Sequence, residues 1–239
     1  MMRAFLRASA PRLVLVLLAA LMFYLMEPGF HAHEAAPSGD LDVQLGPLGI
    51  SATLANLSGL SMLILLAGFI AVDRRRGYYR LLFAQPVNPV LYYLARWALA
   101  LVMAVAASAV FLWVGSYAAW GEYRGGVEGL YLALLAAVAY GGLIAFLSAV
   151  LPRGDAWVGV MLFLFTFFWL QSLSLGAEPF PAPFRDALSL LLPPQTALQD
   201  VYDALLTGKL DAAASAFCAG YGVFWLAAAG LVVHYREWP

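Results

Sequence analysis

Five stretches of this chain run for 22 residues or longer without an Asp, Glu, Lys or Arg: residues 43–72, 97–121, 129–152, 156–177 and 212–235. A charge near mid-bilayer is costly, and a helix needs about 20 apolar residues to cross the hydrocarbon. Each stretch is therefore long enough for a membrane-spanning helix. A sixth is weaker, because Arg12 and Glu27 bound only 14 uncharged residues. Glu27 can sit at the interface, so residues 11–27 read as a tilted or slightly short span. Arg3, Arg7 and Arg12 ahead of that apolar run also have the form of a secretory signal peptide. The run is longer than a usual signal core, and removing it would strand the next basic loop on the wrong side of the membrane. The charged share of 11% lies far below the roughly 25% of soluble domains. The expectation is a single all-α, polytopic membrane domain over residues 1–239 with six transmembrane helices and no soluble domain. The spans fall at about 11–27, 50–72, 94–119, 129–151, 156–175 and 212–234.

Loop charges set the orientation, because Lys and Arg accumulate on the cytoplasmic side. With the N-terminus inside, segments 1–12, 73–96, 152–155 and 234–239 hold 10 of the 13 basic residues, leaving Arg124, Arg185 and Lys209 outside. Acids do the reverse: 11 of 14 fall outside, and Asp73, Asp155 and Glu237 inside. Both termini are expected in the cytoplasm. The net charge of −1 gives no reason to expect a nucleic-acid partner. Cys218 is the single cysteine, so neither an intrachain disulfide nor a cysteine metal site is expected.

Two connecting segments are longer than connection requires. The inner one, residues 73–96, places Asp73 and three arginines directly after the second span. Tyr78, Leu81, Leu82 and Phe83 then alternate with Arg80, Ala84 and Gln85 until Pro86 and Pro89 break the pattern. A helix from about Arg74 to Ala84 would be amphipathic and lie in the interface, its arginines facing lipid phosphates or an acidic partner. A plain positive-inside anchor has the same composition. The outer segment, residues 176–211, is cut by prolines into two amphipathic pieces. Phe184, Ala187, Leu188, Leu191 and Leu192 recur at helical spacing in the first, and Leu198, Val201, Tyr202, Leu205 and Leu206 in the second. Asp200, Asp203 and Asp211 are expected to turn outward. Neither piece can span, so a re-entrant or surface helical hairpin is expected over the last two spans, as a passive lid or as a gate.

Much chemistry is missing. No helix core carries an acid or base, so no proton relay or ion site of the ionisable kind is expected. The histidines are His31, His33 and His234, none deep in a span, and no HExxH motif occurs. His31, His33 and Glu34 are weak candidate metal ligands, since three donors within four residues of a loop rarely form a preorganised site. No metal and no catalytic residue are expected. Gly208–Lys209 is followed by Leu210 where a phosphate loop needs Ser or Thr. If ATP drives this protein, another chain binds it.

The inner segment carries a recognisable pattern: Asp73, Arg74–Arg75–Arg76 and Gly77, then Leu81–Leu82, then Pro86–Val87. It resembles the cytoplasmic signature of ABC-2 type permeases, the membrane subunits of ATP-binding-cassette transporters. That family usually has Glu where this chain has Asp73, and often Thr where it has Tyr78. The outer segment, with LLPPQTALQDVYDALLTGK after its first amphipathic piece, resembles the helix–Pro–helix–Gly element between the family's fifth and sixth spans. Six spans with both termini inside is also the family topology. The resemblance implies a coupling element that docks in a cleft of an ATPase subunit: Asp73, Arg74, Arg75, Arg76, Gly77, Tyr78, Tyr79, Arg80, Leu81, Leu82 and Phe83. It implies an outer gate hairpin containing Phe184, Leu188, Leu191, Pro193, Pro194, Tyr202 and Gly208. ATP and Mg would be held by the partner subunit, with no cofactor on this chain. The partners implied are that ATPase, a second copy or a related permease, and the lipid bilayer of a bacterial or archaeal cell inner membrane. Small residues in the third and fourth spans (Ala104, Ala106, Ala107, Ser108; Gly141, Gly142, Ser148) allow close helix packing, without locating a dimer face. Two other readings stay open: a haem-exporter-like membrane subunit, and a non-transporting scaffold or assembly factor.

Overall fold

A computed structural model describes residues 2–27, 30, 50–75, 77, 88–123, 125–151, 153–174, 181, 183–184, 187–188 and 192–235. Among these the chain is helical and forms no strand, as expected where backbone groups must be satisfied within their own segment. The helices are α1 (Met2–Met26), α2 (Ile50–Leu66), α3 (Ala71–Arg75), α4 (Pro89–Trp120), α5 (Val127–Val150), α6 (Asp155–Ser174), α7 (Gln195–Leu206) and α8 (Ala212–Tyr235). Four stretches are long and apolar enough to cross a membrane: Ile50–Arg74, Pro89–Trp120, Val127–Val150 and Ala212–Tyr235. The apolar parts of the first and fifth expected spans, Ala10–Met26 and Asp155–Thr166, are shorter.

The ends of these helices have local causes. Asn88 caps α4, its side chain accepting from the amides of Val90 (2.9 Å) and Leu91 (3.3 Å), and Pro89 follows at the first helical position. Proline suits that site because its missing N–H would be unpaired there anyway. Gly121, in the left-handed conformation, ends the same helix with its amide on the Tyr117 carbonyl. At 32 residues α4 is about 48 Å long, well beyond a hydrocarbon core of about 30 Å.

The bundle is organised around α2 and α5, which pack against each other more extensively than any other pair. In its most apolar window each is 67% buried, against 33% for α4 and 28% for α8. Lipid supplies no hydrophobic drive for helices to associate, so close van der Waals packing must do it. The small residues of the fourth span serve that purpose inside this chain. Gly142 of α5 lies directly on the backbone of Gly222 in α8, where a Cβ on either would overlap a carbonyl group of the other helix. Gly141 seats Met62 and Trp97, and on α2 Gly59 seats the Tyr140 ring. In the third span Ala104 and Ser108 are buried while Ala106 is exposed.

The Gly142–Gly222 contact predicts a sharp contrast. Gly142→Val drives a side chain into backbone and should cost at least the roughly 1–3 kcal/mol of ordinary overpacking. Gly220→Val, where a Cβ meets open space, should leave stability nearly unchanged. Thermal unfolding of both variants in detergent is the check.

Candidate functional site

Two polar assemblies lie within the apolar bundle, one at the arginine-rich end and one near mid-depth. The first begins where α2 stops early. After Leu66 the chain makes a turn over residues 67–70, with Gly68 at φ +68°, a conformation that penalises any side chain. It then resumes as the short α3. This break removes helical partners from several backbone groups, which in an apolar setting costs several kcal/mol each if left unmet. Neighbouring helices meet them. Arg12 of α1 donates through Nη1 to the Leu65 carbonyl (2.6 Å) and through Nη2 to that of Ala67 (2.7 Å). Asp155, first residue of α6, accepts from the Gly68 amide at 3.0 Å. Ser148 of α5 accepts at Oγ from the amides of Ile70 (2.9 Å) and Ala71 (3.1 Å). Asp155 is only 2% exposed and also sits at a helix N-terminus, where the macrodipole favours an anion.

Beyond the break, Arg74 donates to the Ala149 carbonyl at 2.9 Å, near the end of α5. Asp73 forms an ion pair with Arg96 of α4 at 2.5 Å and accepts from the Tyr93 hydroxyl at 3.3 Å. The Arg96 guanidinium also lies over the rings of Phe69 (5.2 Å), Tyr92 (5.5 Å) and Tyr93 (5.7 Å), within cation–π range. Asp73 precedes the segment 76–87 and Arg96 follows it. Their ion pair thus ties together the two feet of the segment.

The helix expected from about Arg74 to Ala84 does not run through Gly77. That residue is left-handed (φ +67°) and its amide turns back to the Arg74 carbonyl. Asp73 and Arg74 belong instead to α3, which Arg75 closes. Arg76, Tyr78, Tyr79, Arg80, Leu81, Leu82 and Phe83 lie outside the described residues, as do the metal candidates His31, His33 and Glu34. Among the described residues no three His, Cys, Asp or Glu side chains gather as a metal site.

The second assembly lies where the chain enters α7. Leu192, Pro193 and Pro194 are buried, and α7 follows them. Proline has no N–H to leave unpaired, so two in succession carry few donors into the bundle. The Gln195 side-chain amide donates to the Tyr140 hydroxyl, which lies 3.4 Å from Thr166 Oγ1. Thr166 in turn donates to backbone carbonyls of α6, at 2.9 Å from both Leu162 and Phe163. Tyr140 is near the middle of α5, so the hairpin's tip reaches roughly 15–20 Å from either end of that helix. Ala197, Leu198 and Val201 bury the inner face of α7 against α5 and α8. Asp200 and Asp203 face outward. Asp211 instead caps α8 by accepting from the Ala214 amide at 2.9 Å. Tyr202 is half-buried, and burial, with Asp203 and Glu27 adding, raises its phenol above the ordinary range. Phe184 is exposed, Leu188 half-buried, and Leu191 lies outside the described residues. Gly208, left-handed at φ +70°, ends α7.

Arg12, Ser148, Asp155, Tyr93, Arg96, Tyr140 and Gln195 were not expected from the sequence as site residues. The usable signal was the presence of Asp73 and Asp155 on an otherwise basic side. No protein-family model matches this chain, and no curated protein matches it.

The Gln195–Tyr140 bond predicts a non-additive cycle. Tyr140→Phe strips the buried amide of its acceptor and should cost about 1–3 kcal/mol. Adding Gln195→Leu should recover most of that loss, because no polar group is then left without a partner. Thermal unfolding of the single and double variants measures the coupling.

Proposed function

We propose that this chain is the membrane-spanning permease subunit of an ATP-binding-cassette transporter, an exporter driven by a separate ATPase subunit through the segment 73–90. One observation carries the reading. The segment that resembles the coupling element of ABC-2 type permeases has its two feet joined by the Asp73–Arg96 ion pair. A lever passes on displacement only if its ends are fixed to the body it moves, and an ion pair of two partly buried groups fixes them better than an exposed one. The re-entrant hairpin supports the same reading. An element that reaches mid-depth and is held there by a few hydrogen bonds suits a gate on the outer side.

In this reading α1 and α6 complete six spans and both termini face the cytoplasm of a bacterial or archaeal cell. ATP and Mg stay on the partner. A second copy, or a related permease, completes the transport path. The charge-poor, aromatic-rich interior suits an amphiphilic or apolar substrate.

Affinity purification from native membranes should recover an ATPase of the cassette type. Arg75→Glu, Arg76→Glu and Arg80→Glu together should abolish stimulation of that ATPase while leaving the chain folded. Arg74 is spared because it holds the end of α5. Unchanged stimulation would remove the coupling role, and absence of any ATPase would favour a scaffold. Sidedness is checked separately. Cys218 is buried, so in intact cells an impermeant maleimide should label Arg124→Cys, and Arg80→Cys only after permeabilisation.

A further inference from the structure

The break in α2 is an expensive feature for a membrane helix. A continuous helix would satisfy the same backbone groups internally, with an ordinary residue at position 68. Instead three helices each contribute a side chain to the turn: Arg12 takes its carbonyls, Asp155 and Ser148 its amides. The chemistry is complementary, a cation on the acceptors and an anion on a donor. Charge-assisted bonds of this kind are about twice as strong as neutral ones. Straightening α2 would leave both Arg12 and the buried Asp155 without these partners, so the two charges and the break stabilise one another.

The break also divides the span mechanically. Before it, α2 lies in the most buried part of the bundle. After it, α3 is five residues long, flanked by left-handed Gly68 and Gly77, and tied to α4 through Asp73–Arg96. A short rigid piece between two left-handed glycines can swing as a unit when the first turn is released. That first turn is held from α1, α5 and α6.

We propose that Gly68 is a hinge, and that Arg12, Ser148 and Asp155 are positioning residues that clamp it, so that displacement of α3 and displacement of α1 or α6 are coupled. Coupling of this kind is reciprocal: a shift of α1 or α6 loosens the turn, and a swing of α3 loosens its holders. The hinge is a property of this chain alone. Only the identity of what drives it rests on the permease reading above.

Hydrogen exchange followed by mass spectrometry, on the full chain in lipid nanodiscs without any partner, separates the two. Arg12→Met and Asp155→Ala should each raise exchange of the amides of residues 66–75 by about tenfold or more, the loss of at least one charged hydrogen bond. The centre of α5 (132–145) should stay protected. Reciprocity adds a readout that mere local damage would not move: Arg12→Met should also loosen the first turn of α6, and Asp155→Ala the residues of α1 around position 12. The double variant should exceed the larger single effect only slightly, since either change releases the same turn. Should Asp155→Ala fail to fold, Asp155→Asn and Ser148→Ala carry the same test. Unchanged exchange at 66–75, a uniform rise over all helices, or effects that multiply in the double variant would each overturn the hinge. Failure to find an ATPase would leave it standing.

Discussion

A peptide group that enters hydrocarbon must find its hydrogen-bond partner inside the protein, because no water is there to provide one. Most of this chain meets the requirement with continuous helix. At the two described places where it does not, polar side chains of other elements reach the broken segment. At Gly68 the backbone is released and side chains from three other helices take its groups. At Pro193–Pro194 the chain limits its donors by using residues that have none, and a single amide side chain, Gln195, anchors the tip. Irregular backbone at depth is tolerated only where protein surrounds it, so both breaks depend on the tight α2–α5–α8 centre.

That centre is built without much help from shape in the outer helices. Gly142 on Gly222 brings two backbones together, and Gly59 and Gly141 receive large side chains from the opposite helix. Around it the outer faces of α1, α4, α6 and α8 present Leu, Val, Met, Phe and Trp to the surroundings. In water such a surface would be a liability; against lipid tails it is the expected composition. Several charges at the arginine-rich end are used in pairs or on backbone. Asp73 meets Arg96, Asp155 meets the Gly68 amide, and Arg74 meets the Ala149 carbonyl.

Charge-free windows locate helices well because the cost of burying a charge is large and independent of detail. The starts of α5 at Val127 and α8 at Ala212 fall within two residues of the expected 129 and 212. The break at Gly68 was not legible, because residues 65–72 are uniformly apolar apart from their glycine, and hydropathy cannot tell a turn from a helix there. Arg12 and Asp155 were read as boundary markers, which is what their position on the sequence alone supports. Their second role, as partners of another helix's backbone, depends on residues 53 to 87 positions away. The contact between Tyr140 and Gln195, 55 positions apart, is likewise invisible to local pattern. The expectation that no helix core carries a charge needs refinement: Asp155 is 2% exposed because it serves a broken helix.

The two polar assemblies share a frame. On α5, Ser148 holds the Gly68 turn and Tyr140 receives the hairpin; on α6, Asp155 holds the turn and Thr166 faces Tyr140. Asp155 and Thr166 are eleven residues apart, which places them on nearly the same face of α6 with a separation of about 16 Å. Ser148 and Tyr140 are eight apart on α5, or about 12 Å. Only α6 among these elements is attached lightly, with Trp157, Met161, Phe165 and Phe168 exposed on its other side. Sliding α6 along α5 would therefore disturb both the turn at the arginine-rich end and the anchor at Tyr140, together with the buried packing of Phe163 and Trp169. Through these hydrogen bonds α6 is joined both to the turn at Gly68 and to Tyr140 near the middle of α5.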